Sequence, residues 1–172
     1  GPDKAREAAE ALVAEGCDVL GFTEDTPTVL EVAQEYQAKG KKIYGLSHYS
    51  PMQAYGKDAV LTGQLTDWGV LYVQMLKDIK EGKATDLTNY DLLWLLKDKA
   101  VELGADWDNR INPKYVDTFK GITTQSKDFG KISIYDLVMK RYDQMAKGRD
   151  VFDPFTGPIY DQKGTMTVKA GE

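Results

Sequence analysis

Residues 18–36, DVLGFTEDTPTVLEVAQEY, place carboxylates and hydroxyls in a predicted strand-to-helix turn. The turn carries Thr23, Glu24, Asp25 and Thr26. Phosphate-binding turns use glycines instead, because bare backbone N–H groups must close around the anion. Carboxylates accept hydrogen bonds from N–H and O–H groups and repel phosphate. The turn therefore predicts contact with a neutral ligand that donates hydrogen bonds, and it argues against a nucleotide.

Helix capping is an alternative explanation for two of these side chains. Asp25 or Thr26 would serve as the N-cap of a helix opened by Pro27, since their oxygens accept hydrogen bonds from first-turn amides. An acidic residue is also favoured at a helix N-terminus without any ligand. Capping is the preferred interpretation for Thr26, and both interpretations stay open for Asp25. Glu24 has no capping role, so ligand contact is favoured for it.

Imidazole and aromatic side chains follow the next two predicted strands. His48 and Tyr49 follow the second strand and Trp68 follows the third. Ligands of open parallel sheets bind where the strands end, here called the carboxyl edge. Tyr49 is the better candidate for stacking on a planar ligand, whereas packing against the sheet is favoured for Trp68. His48 is interpreted either as a ligand contact or as a hydrogen-bonded loop residue.

The composition excludes several functions. A net charge of -5 and a pI of about 5.0, with no basic stripe, argue against a nucleic-acid partner. Cys17 is the only cysteine, so no intrachain disulfide forms, and a buried inert thiol is expected. With one histidine and one cysteine, neither an acid–base pair nor a nucleophile can be assembled. We therefore predict no enzymatic activity, no metal site and no cofactor.

Hydrophobic periodicity predicts alternating helices and strands. The predicted helices span residues 3–15, 28–39, 67–81, 112–125 and 134–147. The predicted strands span residues 18–22, 42–46, 59–66 and 92–96, with a hairpin turn at 161–164. Strands that alternate with helices predict an α/β fold with a parallel sheet flanked by helices. Residues 83–89 are the best candidate for a hinge crossing.

Three further segments carry a family resemblance. They are VLTGQLTDWGVLYVQMLKDIKEG at 60–82, GCDVLGFTEDTPTVLEVA at 16–33 and FDPFTGPIYDQKG at 152–164. The positions that match are Leu61, Thr62, Trp68, Gly69, Tyr72 and Gly82 in the first segment and Asp25, Thr26 and Pro27 in the second. Together they resemble the basic membrane protein family of substrate-binding proteins, the purine nucleoside receptor group that serves ABC transporters.

The resemblance implies a type I periplasmic binding protein, in which two α/β lobes joined by a hinge hold the ligand in a cleft. This chain would correspond mostly to the C-terminal lobe. Residues 3–82 would form its ligand-binding core, and residues 83–172 would supply hinge-crossing segments, helices and a C-terminal hairpin. The sequence is thus expected to be a fragment without the first lobe. Its expected partner is that N-terminal lobe or a second copy in a swapped dimer.

The implied function is the solute-binding component of an ABC importer, exported to the periplasm or held at the cell surface as a lipoprotein, with the permease as partner. The ligand would be a purine nucleoside or nucleobase-like molecule bound by Thr23, Glu24, Asp25, His48, Tyr49 and Trp68. Many family members carry an acidic pair after the second strand, whereas residues 45–56, GLSHYSPMQAYG, contain no carboxylate. This departure argues against strict specificity for nucleosides, so a nucleobase or another small aromatic or polar molecule remains an alternative ligand. The alternative function is a ligand-sensing domain of a regulator or receptor.

Overall fold

The computed structural model describes residues 1–84 and 93–171. At its centre lies a four-stranded sheet in the order β1–β2–β3–β4. The strands are β1 (Val19–Leu20), β2 (Tyr44–Tyr49), β3 (Val60–Thr66) and β4 (Val101–Leu103). The first three strands are parallel, and β4 pairs antiparallel with β3. The helices of this part are α1 (Pro2–Ala14), α2 (Thr28–Ala38) and α3 (Trp68–Lys80).

The rest of the described chain adds two helices and two hairpins. They are α4 (Pro113–Gly121), the hairpin β5 (Thr123–Ser126) with β6 (Gly130–Ser133), α5 (Ile134–Lys147), and the hairpin β7 (Ile159–Tyr160) with β8 (Met166–Val168). Short 3-10 helices cover Gln53–Tyr55 and Leu96–Asp98. This is a mixed α/β arrangement with a mostly parallel central sheet flanked by helices. It has the architecture of part of a periplasmic-binding-protein lobe.

The core holds β1 and β2 against α2. Leu20, Val32 and Ala33 are almost completely buried in one apolar cluster, to which α1 contributes two alanines. Leu30, on another side of α2, packs in a second cluster. Phe22 contacts both clusters, so its position just after β1 is fixed by packing on two sides. The carboxyl edge of the sheet is therefore built on a rigid support.

Asn112 ties the start of α4 to the start of β3. Its side chain is buried and donates to the carbonyl oxygens of Val60 at 2.7 Å and Lys57 at 3.1 Å. Its Oδ1 accepts from the amide of Lys114 at 3.1 Å and caps the helix. A buried amide that satisfies backbone groups on both sides fixes the register of the elements it joins. The predicted helix start at Asn112 is confirmed.

The helix predictions agree with the structure to within a residue or two, with one exception. Gly16, Gly40 and Gly82, predicted to end α1, α2 and α3, have φ angles of 96°, 81° and 71°. These left-handed conformations are the ones that favour glycine after a helix. The exception is the helix predicted over 112–125, because α4 ends at Gly121 and β5 begins two residues later.

Four other predictions were wrong or fall at least partly outside the described residues. The second strand is Tyr44–Tyr49 rather than 42–46, which places His48 and Tyr49 inside it. No strand forms in the described part of 92–96, where a 3-10 helix begins at Leu96. Most of the predicted hinge at 83–89, like Leu92, lies outside the described residues. Cys17 is exposed rather than buried.

Helix α3 presents an apolar stripe to solvent. It has no buried residue, and Tyr72, Leu76 and Ile79 are at least half exposed. These side chains recur at helical spacing after Trp68, so the stripe continues from the carboxyl edge of the sheet. The expected partner, an N-terminal lobe or a second copy, stays a prediction. Among the described helices, none combines the length and apolarity that a bilayer crossing requires.

Candidate functional site

Four ring-bearing side chains, here called the aromatic row, lie along the carboxyl edge of the sheet. Phe22 follows β1, His48 and Tyr49 end β2, and Trp68 begins α3 just after β3. The ring centroids of Phe22 and His48 are 6.3 Å apart, those of His48 and Tyr49 3.6 Å, and those of Tyr49 and Trp68 6.2 Å. Three parallel strands thus bring residues 22 to 68 into one continuous row.

His48 lies inside β2 and not in a following loop. Its register partner on β3 is Gln64, whose Nε2 donates a hydrogen bond to Thr66 Oγ1 at 2.6 Å. The Nε2 atom of His48 is buried and has no hydrogen-bond partner among the described residues. A buried polar atom without a partner costs free energy, on the order of 1–3 kcal/mol. The interpretation of His48 as a loop residue is therefore wrong, because His48 lies within β2. The hydrogen bond expected in that interpretation is also missing at Nε2 within the residues that the structure describes.

Tyr49 has a left-handed backbone, with φ at 62°. Side chains of successive strand residues normally point to opposite faces, so His48 and an extended Tyr49 would point apart. The left-handed conformation instead places the phenol ring beside the imidazole at an interplanar angle of 41°. For a tyrosine this conformation costs roughly 1–2 kcal/mol. Tyr49 is 41% exposed, so part of the residue stays accessible to solvent.

The turn after β1 offers its carboxylates to solvent. Thr23, Glu24 and Asp25 are exposed, and neither carboxylate has a hydrogen-bond or ion-pair partner within the described ranges. The N-cap of α2 is Pro27, and no side chain caps that helix. Thr26 lies instead within 3.3 Å of the Thr28 hydroxyl. The capping interpretation is therefore wrong for both Asp25 and Thr26, and Asp25 is left without a structural role at the helix start.

Trp68 does not pack into the core. Its side chain is 49% exposed, contrary to the prediction that it packs against the sheet. Asp67 fixes the helix start beneath it, because its Oδ1 accepts from the amides of Gly69 at 3.0 Å and Val70 at 3.4 Å. A capped first turn holds the indole at the end of the aromatic row, where its face is available for stacking.

Three further residues of this region, Phe22, Ser47 and Gln53, are not distinguished by any sequence motif. Phe22 supplies the first ring of the row. Its position as the last apolar residue before the turn is the feature of the sequence that could have indicated it. Ser47 Oγ and Gln53 Oε1 are buried and unpartnered among the described residues, like His48 Nε2. No pattern of spacing distinguishes a buried serine or glutamine without a partner from a satisfied one. Only the three-dimensional structure shows that these atoms are buried without a hydrogen-bond partner in the described part of the chain.

A separate cavity of about 610 Å³ lies beside the sheet, between β4, α5 and the segment after α5. Its lining is apolar and includes Leu93, Val101, Leu137, Met145, Phe152 and Phe155. Its polar side chains already have partners. Tyr142 donates to Glu102 at 2.8 Å and Arg149 to Asp153 at 2.6 Å, while Gln64 and Arg141 bond to residues outside the lining. Burial and the Glu102 hydrogen bond raise the pKa of Tyr142. The cavity thus offers few unpaired groups to a polar solute, in contrast to the aromatic row.

Across residues 1–84 and 93–171, no group of three or more histidine, cysteine, aspartate or glutamate side chains is arranged to hold a metal ion. What the carboxyl edge does combine is aromatic faces, two unpaired carboxylates and one unpaired imidazole nitrogen. This set can stack on a planar ring and exchange hydrogen bonds with it.

Two known proteins resemble this chain at low identity. A purine-binding protein of Brucella abortus is 25% identical over 171 residues, which are 99% of this chain and 40% of that protein. A Haloferax volcanii protein, named as a candidate ABC transporter glucose-binding protein, is 27% identical over 116 residues, 67% of this chain and 27% of that protein. No family model matches the chain. The chain spans less than half of each relative, and the two names support a family of substrate-binding proteins rather than enzymes.

Proposed function

We propose that this chain belongs to the solute-binding component of an ABC importer and that its solute is a purine nucleobase or nucleoside. The observation that carries the proposal is the aromatic row with unpaired polar groups at the carboxyl edge. Glu24 and Asp25 stand two and three residues beyond Phe22, the first ring of the row. The resemblance to the basic membrane protein family and the name of the Brucella relative support the same ligand class.

The chemistry of the site favours a planar, neutral ring system. The half-exposed rings of Tyr49 and Trp68 offer large apolar faces, on which a heterocycle stacks with a gain of about 0.5–1.5 kcal/mol beyond burial. The carboxylates of Glu24 and Asp25 accept from exocyclic amino groups, ring N–H groups or sugar hydroxyls. Two negative charges at the same edge disfavour a phosphate. The preferred solute is therefore an unphosphorylated purine.

The proposed setting follows from the resemblance. The protein would be exported to the periplasm or anchored as a lipoprotein at the cell surface, and it would deliver its solute to a membrane permease. Binding would leave the solute chemically unchanged, because delivery needs only capture and release. Residues 3–82 would supply this lobe's share of the cleft. The described part of 83–172 would connect to, or pack against, the remainder of the binding protein.

A ligand panel tests this proposal. We expect adenine and adenosine to bind saturably, and AMP at least tenfold more weakly, about 1.4 kcal/mol, because its phosphate meets two carboxylates. Glucose is expected to bind more weakly than adenosine, since a saturated sugar cannot present a π-face to the row. The measurement is a two-dimensional NMR titration extended to millimolar ligand, which detects the weak binding expected of a partly open cleft. Saturable binding of glucose without binding of either purine would refute the proposal.

A further inference from the structure

The ring of Tyr49 lies on the imidazole of His48. The two ring centroids are 3.6 Å apart, closer than either is to its other neighbour in the aromatic row. No purine fits between rings at this separation, because inserting a third ring requires about twice the 3.5 Å contact distance of aromatic carbons. In this conformation one face of the imidazole is therefore covered.

Two features of this contact are unfavourable by themselves. Tyr49 needs a left-handed backbone, φ 62°, to place its ring there. His48 Nε2 is buried without a hydrogen-bond partner in the described part of the chain. Unusual backbone conformations of this kind cluster at ligand clamps and switch regions. An arrangement with both costs is poised to change when a ligand provides a better partner.

We propose that Tyr49 is a cover over His48, and that a purine-like ligand displaces the phenol ring and takes a hydrogen bond with His48 Nε2. This inference rests on the proposed function, because it assigns roles within the same site. The displaced ring then stacks on the outer face of the bound ligand. His48 becomes the residue that distinguishes a nitrogen heterocycle from a hydrocarbon ring, since a ring without heteroatoms leaves Nε2 unpaired.

The cover has a kinetic consequence. Binding requires the ring of Tyr49 to move, so the ring slows association, and once it stacks on the ligand it slows dissociation. Tyr49→Gly removes the ring and tolerates the left-handed backbone, because glycine adopts positive φ freely. Tyr49→Phe keeps the ring and is the matched control. We expect Tyr49→Gly to speed association severalfold and dissociation by more than tenfold, while Tyr49→Phe changes each rate by less than threefold.

The single histidine makes the geometry directly observable by NMR. The Hε1 resonance of His48 should be displaced upfield by the ring current of Tyr49, should move downfield in Tyr49→Gly, and should stay in place in Tyr49→Phe. Saturating adenosine should shift both Hε1 and the Nε2 nitrogen resonance of the unsubstituted chain. His48→Phe, which keeps an aromatic ring, should weaken adenosine binding about tenfold.

The outcomes separate this inference from the proposed function. If adenosine shifts the amides of Glu24 and Trp68 but not the imidazole of His48, the cover is refuted and the proposed site stands. Equal association rates for Tyr49→Gly and Tyr49→Phe would refute it as well. If no resonance moves up to millimolar adenosine, the proposed function fails and the cover fails with it.

Discussion

Replacing Gly63 with alanine is expected to destabilise the chain by about 3 kcal/mol, counting overpacking and lost ladder hydrogen bonds. Gly63 pairs in register with Ser47 across β2 and β3. An alanine Cβ at this position would collide with Ser47 Cβ and lie 2.7 Å from the Ser47 carbonyl oxygen. Part of the obstacle is the backbone of Ser47, so rotation of a side chain cannot relieve the collision. The two strands must instead move apart.

Thermal unfolding measures this effect. For a chain of this size, about 3 kcal/mol corresponds to a decrease in Tm of roughly 6–12 °C. Gly21→Ala is the matched control, because its Cβ would meet no atom within 4 Å and its φ is not positive. We expect the control to change stability by less than about 0.5 kcal/mol. An unchanged Tm for Gly63→Ala would show that β2 and β3 do not approach each other as closely as described.

Replacing both turn carboxylates, Glu24→Gln with Asp25→Asn, is expected to weaken adenosine binding by roughly ten- to a hundredfold. The amide replacements keep the size and an acceptor oxygen and remove only the charge, so each hydrogen bond is weakened and not lost. A ten- to hundredfold loss corresponds to about 1.4–2.8 kcal/mol for the two positions together. Because α2 is not capped by either side chain, we expect no loss of thermal stability. This combination of weaker binding and unchanged Tm separates a ligand contact from a structural role.

The same double variant should change selectivity. Without the two negative charges, the ratio of AMP to adenosine affinity should move toward one, because the repulsion of the phosphate is gone. Asp18→Asn is the matched control: this exposed aspartate precedes β1, at the end of the strand away from the carboxyl edge. We expect it to leave both affinities unchanged. If the double variant behaves like Asp18→Asn, the turn has no part in ligand binding.

Much of the fold could be predicted because its signals are local. The helices α1, α2, α3 and α5 follow from apolar periodicity and from glycines placed just after their ends. The hairpin of β7 and β8 was likewise predicted from its turn at 161–164 and is confirmed. These features depend on a few neighbouring residues, so they can be recognised without knowledge of the rest of the chain.

The predictions that were wrong depend on contacts between distant segments. Strand β2 extends to Tyr49 because β3 pairs with it as far as Leu65, and no residue near Tyr49 indicates that pairing. The β5–β6 hairpin is short and polar, and its first strand was assigned to the preceding helix. Its clearest signal is the threonine pair at 123–124, a β-branched run that disfavours a helix.

The candidate site shows the same division. That His48, Tyr49 and Trp68 lie near one another could be predicted, because parallel strands bring the residues at their carboxyl ends to one edge. Their role in ligand binding stays a prediction. The contact between Tyr49 and His48 could not be predicted, because it depends on the sign of one φ angle in a non-glycine residue. The exposure of Trp68 was also predicted wrongly. A tryptophan after a strand is usually buried, and the packing around it decides the outcome.

Amide chemical-shift mapping during an adenosine titration tests the central claim most directly. We predict that the largest shifts fall at 22–26, 47–49 and 66–69, the residues of the aromatic row and its turn, and that AMP produces smaller shifts at equal concentration. Shifts confined to 101–103, 137–145 and 149–155 would place the ligand in the separate apolar cavity. That result would contradict the assignment of the carboxyl edge as the binding site.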